Sequence, residues 1–546
     1  MAINVKLDLE LAYAAWLADE ERTRQENVVI ARNYFDGEHN VLLSERQKEY
    51  LGFNLDEGRF SFNYCATIVK AVYERMIVMA FEPESREQDK KRPKKPKSEK
   101  EDKDPFSAWA WDLWNANRMD AKQTIVHKGA VCDGEYFVFV DWDKVEERPT
   151  FIPHQRYCAA EEDIGGDNFG CKAFYPDDDV SQPMEKATKR WTEKIVKPGG
   201  ERETRRRMTV YYPDRIEKWI ASTKDESGWA PFLDQEEDEE RREPWPIPWT
   251  EGDVSPGAYN SNGVWQANEA AKPLGIPIIH FFSPERRSEL WNAIAPQDMI
   301  NKTAMDIIAT ADAAGFPIRV THGWMPTTDG LPPNSAGTNY LKVFPGCWIA
   351  TPAEGTTEVL AVADIVGMLD ALDSWIIKLA QITDTPISRF QMTKAIAAED
   401  TQKQQEAVLL AKVRNRQTLF GNSWEDCMTM AAKIAKKNGQ AVPDGEGLDT
   451  LWAPAETRDE KAFREAMMLE SQMGVPEEML WEKLGYDDDE IARMKAMKTE
   501  AMEQQANIGG QLLKDFERGG GTGAERRPGE NQRANTNAPG ATGGAR

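Results

Sequence analysis

Five apolar residues, Ile365, Leu369, Leu372, Ile376 and Leu379, recur at spacings of four, three, four and three. A helix with that period carries a single seam, and such a seam is satisfied only by another helix packed at a shallow angle. A second long helix is predicted from about residue 398, with Leu409, Val413, Phe420, Trp424, Cys427, Ala431 and Ile434 on a similar stripe and Asn438-Gly439 as its stop. Between the two stands Ile382-Thr383-Asp384-Thr385-Pro386. A residue before proline is biased away from the α region, so the chain should bend at Thr385. Upstream, SELWNAIAPQDMINKTAMDIIATADAAGF puts Ile300, Ala304, Ile307, Ile308 and Ala311 on one stripe, with Gly315 and Pro317 at its end. A β-like stretch, roughly 316 to 350, separates this helix from the seamed one. The pattern predicts a hairpin of helices with a strand-bearing tip.

The first 283 residues read differently. Residues 8 to 36 are predicted helical, and Ser44 with Gln47 fits a capping box on a short helix. The run FSFNYCATIVKAVYERMIVMAF places Ile68, Val72, Tyr73, Met76 and Ile77 near one face of a buried helix. A Trp-rich helix is expected from Pro105 to Asp120, and a further helix turns through Asp133-Gly134 into a strand from Tyr136 to Trp142. That strand is almost entirely aromatic and β-branched, so both its faces should be covered. Further strands are predicted at FIPHQRYCAA, CKAFYP, TRRRMTVYYPDRIEKWIA and IPIIHFF, which gives an antiparallel-rich α+β domain. Two stretches interrupt it. Residues 83–105 are a Lys/Pro-rich charged loop, and 222–272, with DQEEDEE and PWPIPW, read as a peripheral loop pinned to its own domain. Beyond residue 455 come two or three short helices, with Pro476 at one start, and from Gly519 a Gly- and Asn-rich tail expected to be disordered.

At 546 residues the chain exceeds the size of one growing core, so three or four sub-domains are expected. Apolar residues at 40% and charged residues at 29% suit a soluble globular protein. No window approaches a membrane span, and the acidic N-terminal helix is not a signal peptide, which predicts folding in cytoplasm. The six cysteines, Cys65, Cys132, Cys158, Cys171, Cys347 and Cys427, form no CxxC pair and are expected as buried thiols. A formal charge of -24 would repel a polyanion if spread evenly. It argues against a DNA clamp while leaving room for a surface that DNA slides past.

Catalytic patterns are missing. The sequence holds no Gly-rich loop ending in Lys and Ser or Thr, no GxSxG elbow and no HExxH pair, and His39, His127, His154, His280 and His322 have no metal-ligand spacing. The triplets Asp177-Asp178-Asp179 and Asp487-Asp488-Asp489 could chelate a hard cation, but turn and helix-start capping explains them better. We assign no catalytic residue, no metal ligand and no cofactor.

In order along the chain, ARNYFDGEHN, FNYCATIVKAVYERM, SELWNAIAPQDMINKTAMDIIATADAAGFPIRV, PGCWIA, IIKLAQITDTPISRF and VRNRQTLFGNSWEDCMTMA resemble the Gp6-like (SPP1-type) portal family of tailed double-stranded DNA phages. The resemblance spans most of residues 30 to 505. It implies a mainly helical α+β fold with wing, stem, clip and crown, and antiparallel strands in wing and clip. Residues 1–283 would be wing, 284–314 and 363–383 the stem helices, and 315–362 the clip. Residues 384–400 would be a tunnel loop carrying Arg389, Gln391 and Lys394 toward the channel. Residues 401–440 would be a long wing helix, 455–505 the crown and 506–546 a disordered tail. Ile365, Leu369, Leu372, Ile376 and Leu379 would then pack subunits together.

The implied function is that of a virion subunit in a ring of about twelve copies at one capsid vertex, after assembly in the host cytoplasm. Double-stranded DNA would pass through its channel for packaging and ejection. Its partners would be the terminase large subunit, the head-tail connector, and the major capsid and scaffolding proteins, with no membrane. The alternatives are a metal-dependent hydrolase using carboxylates such as 177–179, and a minor capsid or scaffold protein.

Overall fold

The computed structural model describes residues 19–39, 61–83, 104–158, 170–196, 202–221, 229–232, 246–251, 272–315, 317–322, 348–351, 354–356, 358–359, 364–390, 399–445 and 447–456, with 467–471, 473, 480–481, 491 and 493–499 toward the C-terminus. It divides into two compact units, residues 1–456 and 457–546. In the second, 467–471 and 493–499 are helical, and Met467, Leu480 and Ile491 are buried.

The larger unit is an α+β body. Helix α1 (Asp19–Asp36) is followed by α2 (Cys65–Tyr73), which buries Cys65, Ile68, Val69, Ala71 and Val72. The apolar periodicity predicted that α2 would continue through Ile77, but the helix stops at Tyr73. The chain turns at Glu74 and Arg75 into strand β1 (Val78–Pro83), leaving Met76 buried and Ile77 exposed. The reason lies far away in sequence: β1 pairs antiparallel with β14 (Leu448–Trp452), and that ladder outweighs local helix propensity.

The Trp-rich segment forms α3 (Pro105–Ala116), started by Asp104, whose carboxylate accepts the Ser107 amide at 3.1 Å. The Trp-rich helix, predicted to run to Asp120, ends at Ala116; Arg118 takes a left-handed conformation (φ 54°), and the further helix expected there follows as α4 (Met119–Asp133). At its end Gly134 has φ 88°, and a Cβ there would lie 2.7 Å from the Arg287 backbone, so only glycine fits.

Strand β2 (Glu135–Asp143) lies between β3 (Arg148–Gln155) and β10 (Ile278–Phe282) in an antiparallel sheet. It is covered on both faces, as its composition predicts. Val138 and Val140 join the main core, whereas Phe137 and Phe139 meet Cys171, Ala173, Ala187 and Tyr211 of a second sheet. That sheet runs β4 (Gly170–Phe174), β5 (Lys186–Val196), β6 (Arg202–Tyr211), β7 (Arg215–Ala221) and β8 (Trp229–Pro231), with β9 (Ile247–Pro248) also on β7. Parts of the supposed loop 222–272 are therefore strand. Trp249 pins the PWPIPW segment to its own domain by donating its Nε1–H to the Gly275 carbonyl at 2.6 Å.

The helical hairpin is α5 (Ile294–Gly315) beside α6 (Ile365–Ile382). Its tip holds β11 (Arg319–His322), β12 (Trp348–Thr351) and β13 (Glu358–Val359). The expectation of purely antiparallel strands fails here, because β11 and β12 run parallel and only β13 is antiparallel to β11. The stretch between His322 and Trp348 is long enough for the crossover that a parallel pair requires. Helix α7 (Glu399–Lys437) then packs along β2, β3, β10 and β14. Leu409, Val413, Phe420, Trp424, Cys427, Ala431 and Ile434 are all buried, and Gly439 (φ 81°) lies just past its end.

Candidate functional site

The bend between α6 and α7 is built from a short set of polar contacts. Helix α6 begins with the Asp364 carboxylate accepting the amides of Val366 and Gly367 at 3.0 and 3.3 Å. It ends where the Thr383 hydroxyl donates to the Leu379 carbonyl at 2.8 Å and the Thr385 amide to that of Ala380 at 3.0 Å. The reversal falls on Asp384, at φ 53°, one residue before the predicted position. Asp tolerates this left-handed region at modest cost. Pro386 then leads into a single 3₁₀ turn, Ile387–Arg389.

This turn is held from both sides. Lys412 of α7 donates to the Thr383 carbonyl at 3.1 Å and pairs with Glu289 at 2.6 Å. Arg416, one turn further on, reaches the same carboxylate through Nε at 3.0 Å and through a second nitrogen. Burial pushes the Glu289 carboxyl up, but the two cations prevail and hold it below its ordinary value. Phe390 meets the Tyr64 ring edge-on, with centroids 5.6 Å apart. At the foot of the hairpin the Gln297 side chain accepts the Tyr64 amide at 3.1 Å, and that of Asn301 accepts the Phe62 amide at 2.9 Å.

The residues of the predicted seam lie in different surroundings. Leu379 and Ile376 are 0% and 3% exposed, packed in the core of this chain; Leu372 and Ile365 are half-buried; Leu369 is 46% exposed. Val366 and Ile377, on the same side as Leu369, are 65% and 44% exposed. One side of the helix foot, at Ile376 and Leu379, is thus sealed, while Val366, Leu369 and Ile377 present an apolar stripe to solvent. Arg389 is exposed at the end of the 3₁₀ turn, whereas Gln391 and Lys394 lie outside the described residues. Sequence reasoning missed Glu289, Lys412 and Arg416. The spacing of Lys412 and Arg416 by four marks one face of a helix, but nothing local points to Glu289 as their shared partner.

The acidic triplet at 177–179 has other work. It opens on a 3₁₀ turn, Pro176–Asp178; Asp178 binds Arg24 at 2.8 Å and also Arg286, and Asp179 accepts the Ser181 amide at 2.9 Å. The second triplet, 487–489, is outside the described residues. Among the described residues no cluster of His, Cys, Asp and Glu has metal-holding geometry, and no helix is long and apolar enough to cross a membrane. His127 is fully enclosed: it accepts the Trp424 indole N–H on Nε2 at 3.0 Å and donates Nδ1–H to the Met76 carbonyl at 3.0 Å, and burial lowers its pKa to about 3. The described cysteines, Cys65, Cys132, Cys158, Cys171 and Cys427, are buried thiols, and Cys347 lies outside the described residues.

Comparison with known proteins matches the family described as phage portal protein, SPP1 Gp6-like, over residues 15–504. The portal protein of Mycobacterium phage D29 is 25% identical over 272 residues, covering 47% of this chain and 55% of that protein. The portal protein of Mycobacterium phage L5 is equally identical over the same length, with 54% of it covered. The matched region spans about half the length of these curated relatives.

Proposed function

The chain belongs to the SPP1 Gp6-like family of phage portal proteins, and from that premise we propose that it is the subunit of a ring of about twelve copies that conducts double-stranded DNA through one capsid vertex. The observation that carries this reading is the half-exposed stripe of Val366, Leu369 and Ile377 on a helix whose foot is locked into the wing. A cyclic assembly gives every copy two neighbours, so a stripe left open in one chain is covered without a free end. Residues 1–283 then serve as wing, α5 and α6 as stem, 315–362 as clip, 401–440 as long wing helix and 455–505 as crown.

Residues 384–400 are the tunnel loop, with Arg389, Gln391 and Lys394 toward the channel. The Glu289, Lys412 and Arg416 cluster anchors the start of this loop at the Thr383 carbonyl, so that movement begins beyond it. In this reading the ring is also the docking platform for terminase, connector, capsid and scaffolding proteins. The family is structural, and the DNA motor would be supplied by the terminase.

Negative-stain images and the native mass of the purified chain test this. Rings with an axial hole are expected, and Leu369→Asp should abolish them while leaving a folded monomer. A uniform monomer at every concentration, or rings unaffected by Leu369→Asp, would refute the stem assignment.

A further inference from the structure

A pocket of about 420 Å³ opens beside β10, and the portal reading makes no use of it. One wall is a single face of α7, where Leu419, Asn422, Ser423 and Asp426 succeed one another at the spacing of helical turns. The opposite wall is β10 with the residues leading into it, and the stretch between β4 and β5, around Tyr175 and Met184, supplies most of the rest. Ile276, Ile278, Phe282 and Leu419 make the lining largely apolar. That volume and that lining are those of a small-molecule site.

The chain leaves polar groups of this pocket unmatched in two ways. The first lies in the main chain, because β10 is an edge strand with β2 on one side only. Val140 donates its amide to the Pro277 carbonyl and Ser283 its own to that of Gly134, so Ile279 and Phe281 are the residues bonded to β2. Ile278, His280 and Phe282 therefore turn their N–H and C=O groups away from it. The His280 carbonyl accepts the Ser423 hydroxyl at 2.9 Å, which makes that side the α7 side of the pocket. The N–H and C=O of Ile278, a fully buried residue, have no partner among the described residues.

The second is charge. Asp426 is the one charged side chain among the described residues that line the pocket, and it makes no hydrogen bond or ion pair with any of them or with the rest of the described chain. Burial raises its carboxyl above the ordinary value and outweighs the pull of Lys433, whose ammonium is held on the Leu274 carbonyl at 3.3 Å. Glu425, beside it on α7, is turned to the Thr450 amide at 2.9 Å. Tyr175 and His280 are paired with each other at 3.0 Å, and burial pushes the imidazole down to about 4, so it is neutral at pH 7. Glu135, near His280, is taken by Arg156 and Arg286 at 2.7 and 3.4 Å. A partly desolvated carboxylate without a counter-ion, next to an apolar cavity, selects a cation, since a neutral or anionic guest would bury it further and leave it unpaired.

We propose that this pocket binds a small organic cation, with its charged nitrogen against Asp426 and its apolar body along Ile278, Phe282 and Leu419. The site does not depend on ring formation.

The test is isothermal titration calorimetry of the full chain with phenethylamine near neutral pH, in about 150 mM NaCl so that loose surface attraction is screened. One saturable site with a Kd of about 1 mM or tighter is expected. Phenethyl alcohol should bind about tenfold more weakly, and hydrocinnamate not at all, because only the amine answers the carboxylate. Asp426→Asn should weaken the amine about tenfold and leave the alcohol unchanged. Asn422→Trp, at an exposed position on the same wall, should remove both. If Asp426→Asn misfolds by circular dichroism, the ranking of the three ligands on the parent chain decides alone. The proposal fails if the amine shows no saturable site, if the alcohol or the carboxylate binds as tightly, or if folded Asp426→Asn or Asn422→Trp binds the amine like the parent. Nα-acetyl-lysinamide carries the same charge on a peptide side chain; tighter binding of it than of phenethylamine would give the pocket to a partner's lysine and overturn the proposal. Ring images of the same preparations score the portal reading separately.

Discussion

Along α7 the seam residues Leu409, Val413, Phe420, Trp424, Cys427 and Ala431 are fully buried within the chain, whereas along α6 burial falls from Leu379 at the foot to Leu369, 46% exposed, near the start. The two stripes look alike as spacing. The difference is that α7 runs through the middle of the body, with β2, β3 and β10 against it, while α6 leaves the body after one or two turns with α5 as its companion. Periodicity therefore reports that a helix has a face to bury, and is silent on whether the same chain supplies the cover.

Substitutions can break that comparison. The largest effect is expected from Trp424→Ala, which removes a fully buried ring packed edge-on against Phe281 and Trp114, with centroids 4.6 and 4.9 Å away. Loss of about 3–5 kcal/mol in urea unfolding is expected, and a loss below about 1 kcal/mol would remove α7 from the core. Leu379→Ala should behave as an α7 residue and cost about 2–5 kcal/mol. Leu369→Asp should change unfolding by less than about 1 kcal/mol and act on assembly instead. Equal unfolding costs at Leu369 and Leu379 would erase the distinction between the two helices. Lys412→Met leaves Glu289 buried with Arg416 alone and should cost about 1–3 kcal/mol, together with faster proteolysis near residue 390.

Acid sharpens the contrast further, because α7 packs on buried imidazoles. His127 is held at about 3, and His154 and His280 at about 4, all by burial, against an ordinary 6.5. The unfolded chain takes up these protons first as pH falls, so stability present above pH 6.5 is lost progressively toward pH 4. Glu289, held below its ordinary 4.5, adds a loss in the same direction at lower pH. The melting temperature should be flat above pH 7 and drop by several degrees by pH 5, with the same profile in Leu369→Asp; a flat profile down to pH 5 would contradict the enclosure of these rings. The smallest effect is Asp384→Gly, which relieves a left-handed backbone and should stabilise by up to about 1 kcal/mol.

What the sequence made legible follows from range. The α7 stripe, the turn at Gly134 and the doubly covered strand β2 are encoded by residues close together, and each stands where spacing and composition put it. Strand β5 was invisible because KATKRWTEKIV alternates poorly. Thr188 and Arg190 are buried on one of its faces, and no polar-out pattern reveals that. The early end of α2 depends on β14, and the anchoring carboxylate Glu289 lies more than a hundred residues from Lys412 and Arg416.

The β1 to β14 ladder joins Val78 to Trp452. On a ribosome, the first of these strands waits for its partner while some 370 further residues are made, roughly 20–70 s at ordinary elongation rates. Before that interval ends the α5–α6 hairpin, with its open stripe, has been made on a chain whose β1 strand is still unpaired. A chain built this way closes its larger unit only once Leu448–Trp452 exist, so copies truncated before them lack the strand that pairs β1.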